Sequence, residues 1–248
     1  MNRLRLLQVL LTGAEVWNEW RKNNLAISPD LANANLKGAD LTKSLLMETN
    51  LKGADLRGAN LTLAALMGAN LSKADLSGAQ LCHTILTEAD LSEAKLWEAK
   101  LSGACLKKAK LIDAELSGTD LWDANLIGAN LSGADLTGAS LVGANLSYAI
   151  LLDANLKGTN LRAANLSSAT LMGVDLRGAS LVEADLSNAI LLDASLTGAN
   201  LMGANLNGVK NLTIDQLCQT KTLFQVELDP NLIEQVKKKC SHLEDPID

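Results

Sequence analysis

Four cysteines and two histidines are the side chains in this chain best suited to chemistry near neutral pH, and their spacing decides whether they can act together. Zinc sites and redox motifs bring Cys and His together within a few residues, as in Cys-x-x-Cys. Here Cys82, Cys105, Cys218 and Cys240 stand far apart in sequence, and His83 and His242 lie in the repeat and in the C-terminal tail respectively. A nucleophile needs a base beside it and the base needs an orienting partner, yet neither histidine has a carboxylate motif around it. No Gly-rich phosphate loop and no Ser/His/Asp pattern occurs. The chain is therefore expected to have no catalytic, cofactor-binding or metal-ligating residue, and not to be an enzyme. Cys218 and Cys240 are the one pair with another use, as candidates for a disulfide that locks the C-terminal tail.

Charge narrows the partners. The formal net charge is −6, and residues 31–210 hold 14 basic and 18 acidic groups, a field too mild to attract or imitate a polyanion. Lys95, Lys100, Lys107, Lys108 and Lys110 form a basic belt, but Glu88, Glu93 and Glu98 interleave with it, as on a solvated surface. Nucleic acid is not an expected ligand. The Leu-rich start after Arg3 and Arg5 is too short for a secretory signal and runs into Glu15 and Trp17. No apolar run reaches membrane-span length. These features fit a soluble, cytoplasmic protein with no membrane contact, where free thiols are the default.

The elements that hold these residues follow from composition and period. Aromatics make up 2% of the chain, with one Phe (Phe224) and one Tyr (Tyr148). Irregular cores need bulky side chains of mixed shape, so a chain rich in Leu and Ala must repeat one packing cell. The cell is plain. Leucine stands at every fifth position from Leu31 to Leu206, 36 in all, and Ala stands two residues earlier in most units. The exceptions at that inner position are small or β-branched, among them Ser44, Thr49, Thr84, Thr119, Thr159 and Val174. The residue just before the Leu is Asp or Asn in 21 of 36 units, and Gly is common at the expected corners. An α-helix would smear leucines at this spacing around its whole surface, and a strand would alternate them between faces. A chain that turns every five residues, four sides to a coil, points every Leu and every Ala inward.

The tandem unit Ala-(Asp/Asn)-Leu-x-x, as in Ala54-Asp55-Leu56 and Ala204-Asn205-Leu206, resembles the pentapeptide-repeat family, cyanobacterial members included. The resemblance covers residues 29–210. It implies an all-β solenoid, a right-handed quadrilateral β-helix of about nine coils, with short α-helical caps at both ends. It also raises a reading found among some members, mimicry of a DNA duplex to bind a topoisomerase.

Three segments result: an N-terminal helical cap at 1–28, the repeat at 29–210 and a C-terminal helical tail at 211–248. Leu7, Leu10, Leu11, Ala14, Trp17 and Trp20 recur at helical spacing; Gly13 divides them into two helices, with Thr12 expected to cap the second. Beyond Val209, Thr213 and Gln216 predict a capping box, and Pro230 to Cys240 a further helix with Lys237–Lys239 complementing its dipole. Function must come from the outward positions. The 20-residue coil aligns Ile150, Leu152, Met172, Ile190 and Leu192 on one outer side, with Tyr148 at its corner, and sets Trp122, Val142, Val182 and Met202 opposite. Contiguous exposed apolar strips mark contact surfaces. The expectation is a non-enzymatic scaffold that uses the first strip for a protein partner, for self-association, or as a seat for its own tail.

Overall fold

A computed structural model of the chain describes residues 3–245. The end segments extend past it at Met1–Asn2 and Pro246–Asp248, which lie outside the described residues.

Each turn of the chain rests on the one 20 residues later. Parallel bridges join Asp30 to Asn50, Asn50 to Asn70, and so on through Ile190 and Lys210. Around each bridge Leu31 N–H donates to the Asn50 carbonyl (2.8 Å) and Asn50 N–H to the Pro29 carbonyl (2.8 Å), a pattern repeated along the rod. No side extends into a continuous strand among the described residues, because a turn interrupts the pairing at once. Ala34 N–H closes that turn on the Leu31 carbonyl at 3.0 Å. Asn33, the third turn residue, has φ 53°. This left-handed third position, with an ordinary second one, is the type II geometry.

The Asp/Asn preference has a local cause. The side-chain amide oxygen of Asn70 accepts from the backbone N–H of Ser72 at 3.0 Å, and the carboxylate of Asp75 accepts from Ser77 in the same way. That N–H sits in the turn and has no partner on the next coil, so a short acceptor side chain satisfies it. Inside, every ladder leucine is at most 1% exposed. The core is one column of leucines and alanines.

Helices stand at both ends. At the start come α1 (Arg3–Thr12) and α2 (Ala14–Lys22). Thr12 does not cap α2: its hydroxyl donates back to the Gln8 carbonyl at 2.8 Å, and Gly13, with φ 130°, occupies the cap position. The chain reverses there in a conformation that suits glycine. Trp17 is fully buried against the first coil, and α2 bonds the backbone of residues 43–47 through Trp17, Asn18 and Arg21. At the other end lie α3 (Ile214–Cys218), α4 (Pro230–Lys239) and a short 3₁₀ turn at Ser241–Glu244. Thr213 and Gln216 form the expected capping box, Pro230 opens α4, and Lys237–Lys239 fill its last turn. Between these helices the tail resumes the stacking, with Thr222 bridged to Asn200 and Glu227 to Asn205.

Candidate interaction face

Leu131, Leu151, Leu171 and Leu191 turn inward on one side of the rod, and the residues flanking them therefore turn out. Ile150, Thr170 and Ile190 are bridged in succession there. Ile150, Leu152 and Leu192 are 37%, 36% and 36% exposed, Met172 and Ile190 are half-buried, and Tyr148 projects from the corner. The structure thus brings together all six residues singled out from the sequence. Ile112, half-buried, extends their line by two coils. The tail does not lie over them. Gln216 bonds the Leu191 and Ala194 carbonyls at the end of the rod (3.1 and 2.8 Å), leaving a groove of about 390 Å³ beside Leu192.

The opposite strip is less open than expected. Trp122 is exposed, but Val182 is buried and Val142 and Met202 are half-buried.

A further apolar patch escapes the sequence reading. Leu45, Ala65 and Ile85 are bridged in a row on the side that precedes Tyr148, and Leu63, Met67 and Ile85 are exposed around them. The signal was present, since three successive units on that side replace Asp/Asn with an apolar residue.

The remaining chemistry-bearing groups are dispersed. Cys82 and Cys105 are free thiols, both half-buried, and the His83 ring lies over Gly103 of the next coil. Among the described residues no three Cys, His, Asp or Glu gather as a metal site. The Sγ atoms of Cys218 and Cys240 are 2.11 Å apart, with Cα atoms 5.6 Å apart, so α3 and the end of α4 meet at these two residues. Belt residues pair across coils, Lys108 with Glu88 (4.0 Å) inside the belt and Glu93 with Lys73 (3.2 Å) outside it. Arg57 grips Asp55 at 2.6 Å, and that hydrogen bond holds the Asp55 carboxyl down to about 2. At Asp135, burial pushes the carboxyl up, but bonds from Thr137 and Ser117 outweigh it and the net shift is downward.

Comparison with known proteins meets this geometry directly. The family model for pentapeptide repeats matches eight copies, over residues 30–62, 64–103, 104–141, 139–178 and 179–210. The chain belongs to the pentapeptide-repeat family. Its members are right-handed quadrilateral β-helices. Among solved structures this pentapeptide-repeat protein is similar to HetL, a pentapeptide-repeat protein involved in heterocyst differentiation regulation in the cyanobacterium Nostoc sp. strain PCC 7120. The identity is 36%, covering 77% of this chain and 93% of HetL, with a TM-score of 0.68. Rfr23 from the cyanobacterium Cyanothece 51142 is 34% identical over 46% of this chain and 64% of its own, with a TM-score of 0.30. QnrB1, a plasmid-mediated fluoroquinolone resistance protein, is 19% identical over 75% and 90%, with a TM-score of 0.37. No curated protein matches the sequence. Among the described residues no helix is long and apolar enough to cross a membrane.

Proposed function

We propose that this pentapeptide-repeat protein is a non-enzymatic scaffold that holds a protein against the side carrying Tyr148, Ile150, Leu152, Met172, Ile190 and Leu192. The observation that carries the reading is the exposure of Ile150, Leu152 and Leu192 on one side of the rod two coils apart, with the half-buried Met172 between them, over a core that is otherwise sealed. Isolated exposed leucines need no explanation, but an aligned strip does. In this reading about nine coils act as a rigid ruler, segments 1–28 and 211–248 close its ends, and the leucine ladder is silent about recognition. The similarity to HetL, a regulator, supports a role carried out by contact rather than by catalysis.

The duplex-mimic reading has less behind it. Acidic groups on the outer sides alternate with Lys and Arg and are paired with them in several places, as in Arg57–Asp55 and Arg177–Asp175. We place the protein in the cytoplasm; a Cys218–Cys240 bridge there would depend on its being shielded, and Cys240 is 2% exposed.

The test is affinity capture from the native cell with the wild-type chain and with Leu152→Glu/Leu192→Glu, both checked for an unchanged melting curve. Partners captured by the wild type and lost from the double variant support the reading. An identical set from both refutes it.

A further inference from the structure

We propose that the partner on this face is a second copy of the chain, the two rods lying side by side and parallel about a two-fold axis that runs along their length. The inference rests on the scaffold reading and names the occupant of the same side.

The two edges of that side carry complementary groups. Its leading edge is formed by the third turn residues before each rung and its trailing edge by those after it. In alternate coils the leading edge carries Lys108, Tyr148 and Asn188, each a hydrogen-bond donor. In the same coils the trailing edge carries Asp113, Asp153 and Asp193, each an acceptor. All six are exposed. Among the described residues, neither the three aspartates nor Tyr148 and Asn188 have a side-chain hydrogen bond or ion pair, and Lys108 has only its contact with Glu88, at the 4.0 Å limit. In the coils between, Gly128, Gly133 and Gly173 leave the edges open, with Ser168 the one small side chain. The Asp113 and Asp153 carboxylates lean along the rod over Gly133 and Gly173 of the next coil, as the Asn188 amide does over Gly208.

A two-fold axis along the rods brings the leading edge of one copy to the trailing edge of the other at the same height. Lys108 then meets the second copy's Asp113, Tyr148 meets Asp153, and Asn188 meets Asp193, each twice. Between the edges the apolar centres face each other, Ile150 on Ile150 and Ile190 on Ile190. Antiparallel rods would set Asp153 against Asp193 instead, like charge on like, so the pattern selects the parallel arrangement. It also marks where contact stops. One coil before Lys108 both edges are acidic, Glu88 and Glu93, and these repel under the same symmetry. The matched stretch is five coils, about 20 Å tall at ordinary strand spacing. One side of five coils is a small patch by the standard of specific interfaces, so weak, reversible association is expected.

The experiment is sedimentation velocity on the full chain at low salt, from about 1 to about 300 µM, the range in which so small an interface should assemble. The wild type is expected to form a reversible dimer. Lys108→Asp alone and Asp113→Lys alone place like charges across both edges and are expected to stay monomeric. An equimolar mixture of the two restores opposite charges at every contact and is expected to dimerise. Ile150→Asp is expected to be monomeric with an unchanged melting curve. A wild type that stays monomeric throughout overturns the proposal, as does a mixture no more dimeric than its parts. If capture by the Leu152/Leu192 face persists in either case, the scaffold reading stands without the dimer.

Discussion

The indole N–H of Trp17 donates to the carbonyl of Leu45 at 2.8 Å, tying the second helix to the edge of the first coil across 28 positions of sequence. Arg21, 2% exposed, adds bonds to the Met47, Ile27 and Asn24 carbonyls at 3.1, 2.7 and 3.0 Å. Burial pushes its guanidinium below the usual value. The Leu45 and Met47 carbonyls are first-coil groups that a preceding coil would otherwise satisfy, and an unpaired coil edge invites association. Trp17→Ala is expected to cost about 3–5 kcal/mol, the range for a fully buried Trp. Hydrogen exchange should show amides of residues 31–47 losing protection ahead of the central coils; uniform loss along the rod would refute a local sealing role.

Two inward hydroxyls occupy equivalent positions with opposite bonding. Thr84 donates to the Leu61 carbonyl at 2.9 Å, whereas the buried Ser44 Oγ has no partner. A buried polar atom left unpaired is costly, while a satisfied one is mildly favourable. Ser44→Ala is expected to stabilise by about 1 kcal/mol and Thr84→Ala to destabilise by about as much. Urea midpoints of the two variants, shifted in opposite directions, are the check.

Leu63 holds a turn's third position at φ 59° with its side chain half in solvent. A left-handed conformation costs a branched residue about 1–2 kcal/mol, and Asn tolerates it better. Leu63→Asn is expected to raise the melting temperature by a few degrees. Gly133→Ala should lower it, because a Cβ there would meet the Asp113 carboxylate as well as an unfavourable φ of 68°.

Acid should leave the Asp55–Arg57 pair intact longer than an ordinary surface pair. The Asp55 carboxyl falls from 3.8 to about 2, chiefly through its hydrogen bond from Arg57. A depressed value contributes stability above the unfolded value and loses it as pH falls through the folded one. The contribution is thus complete above about 4 and fades between about 4 and about 2. Arg57→Gln is expected to return the Asp55 titration, followed by carboxyl carbon NMR, toward 3.8; an unmoved midpoint would discount the pair.

Cys218 and Cys240 join positions 22 apart in sequence. Closing a loop of that size is worth about 3 kcal/mol in the chain-entropy account. Reduction is expected to loosen the tail alone, with amides near Thr222 and Leu223 exchanging faster while the rod keeps its protection. Equal protection before and after reduction would show that the bridge holds nothing in place.

How much of this was legible in the sequence depends on whether a feature obeys the period. The ladder from Leu31 to Leu206 fixes side-chain direction at each position, so the strip from Ile150 to Leu192 could be located before any coordinates. Thr213 and Gln216 were legible for a different reason, since a capping box is a contact between near neighbours. Contacts that leave the period were not. Nothing in the spacing says that Trp17, Asn18 and Arg21 reach the backbone at 43–47. The tail pairs Thr222 with Asn200 and Glu227 with Asn205, an offset of 22 residues rather than 20, and counting by fives loses it. Thr12 was misread because a hydroxyl before a helix has two choices, and here Gln8 behind it took the bond. The Leu45–Ala65–Ile85 row was overlooked because its members differ in size and fall in three different coils.

The 20-residue offset of the bridges sets a rule for changes in length. Removing one full coil, residues 115–134 for instance, would shorten the rod yet leave each remaining side chain above the same kind of neighbour. Removing one unit of five would preserve every leucine's inward direction but rotate all that follows by a quarter turn. Ile150 and Leu192 would then face a different way relative to the first helices. Length variants of this chain therefore come in two sorts: those that move a surface along the rod, and those that swing it around.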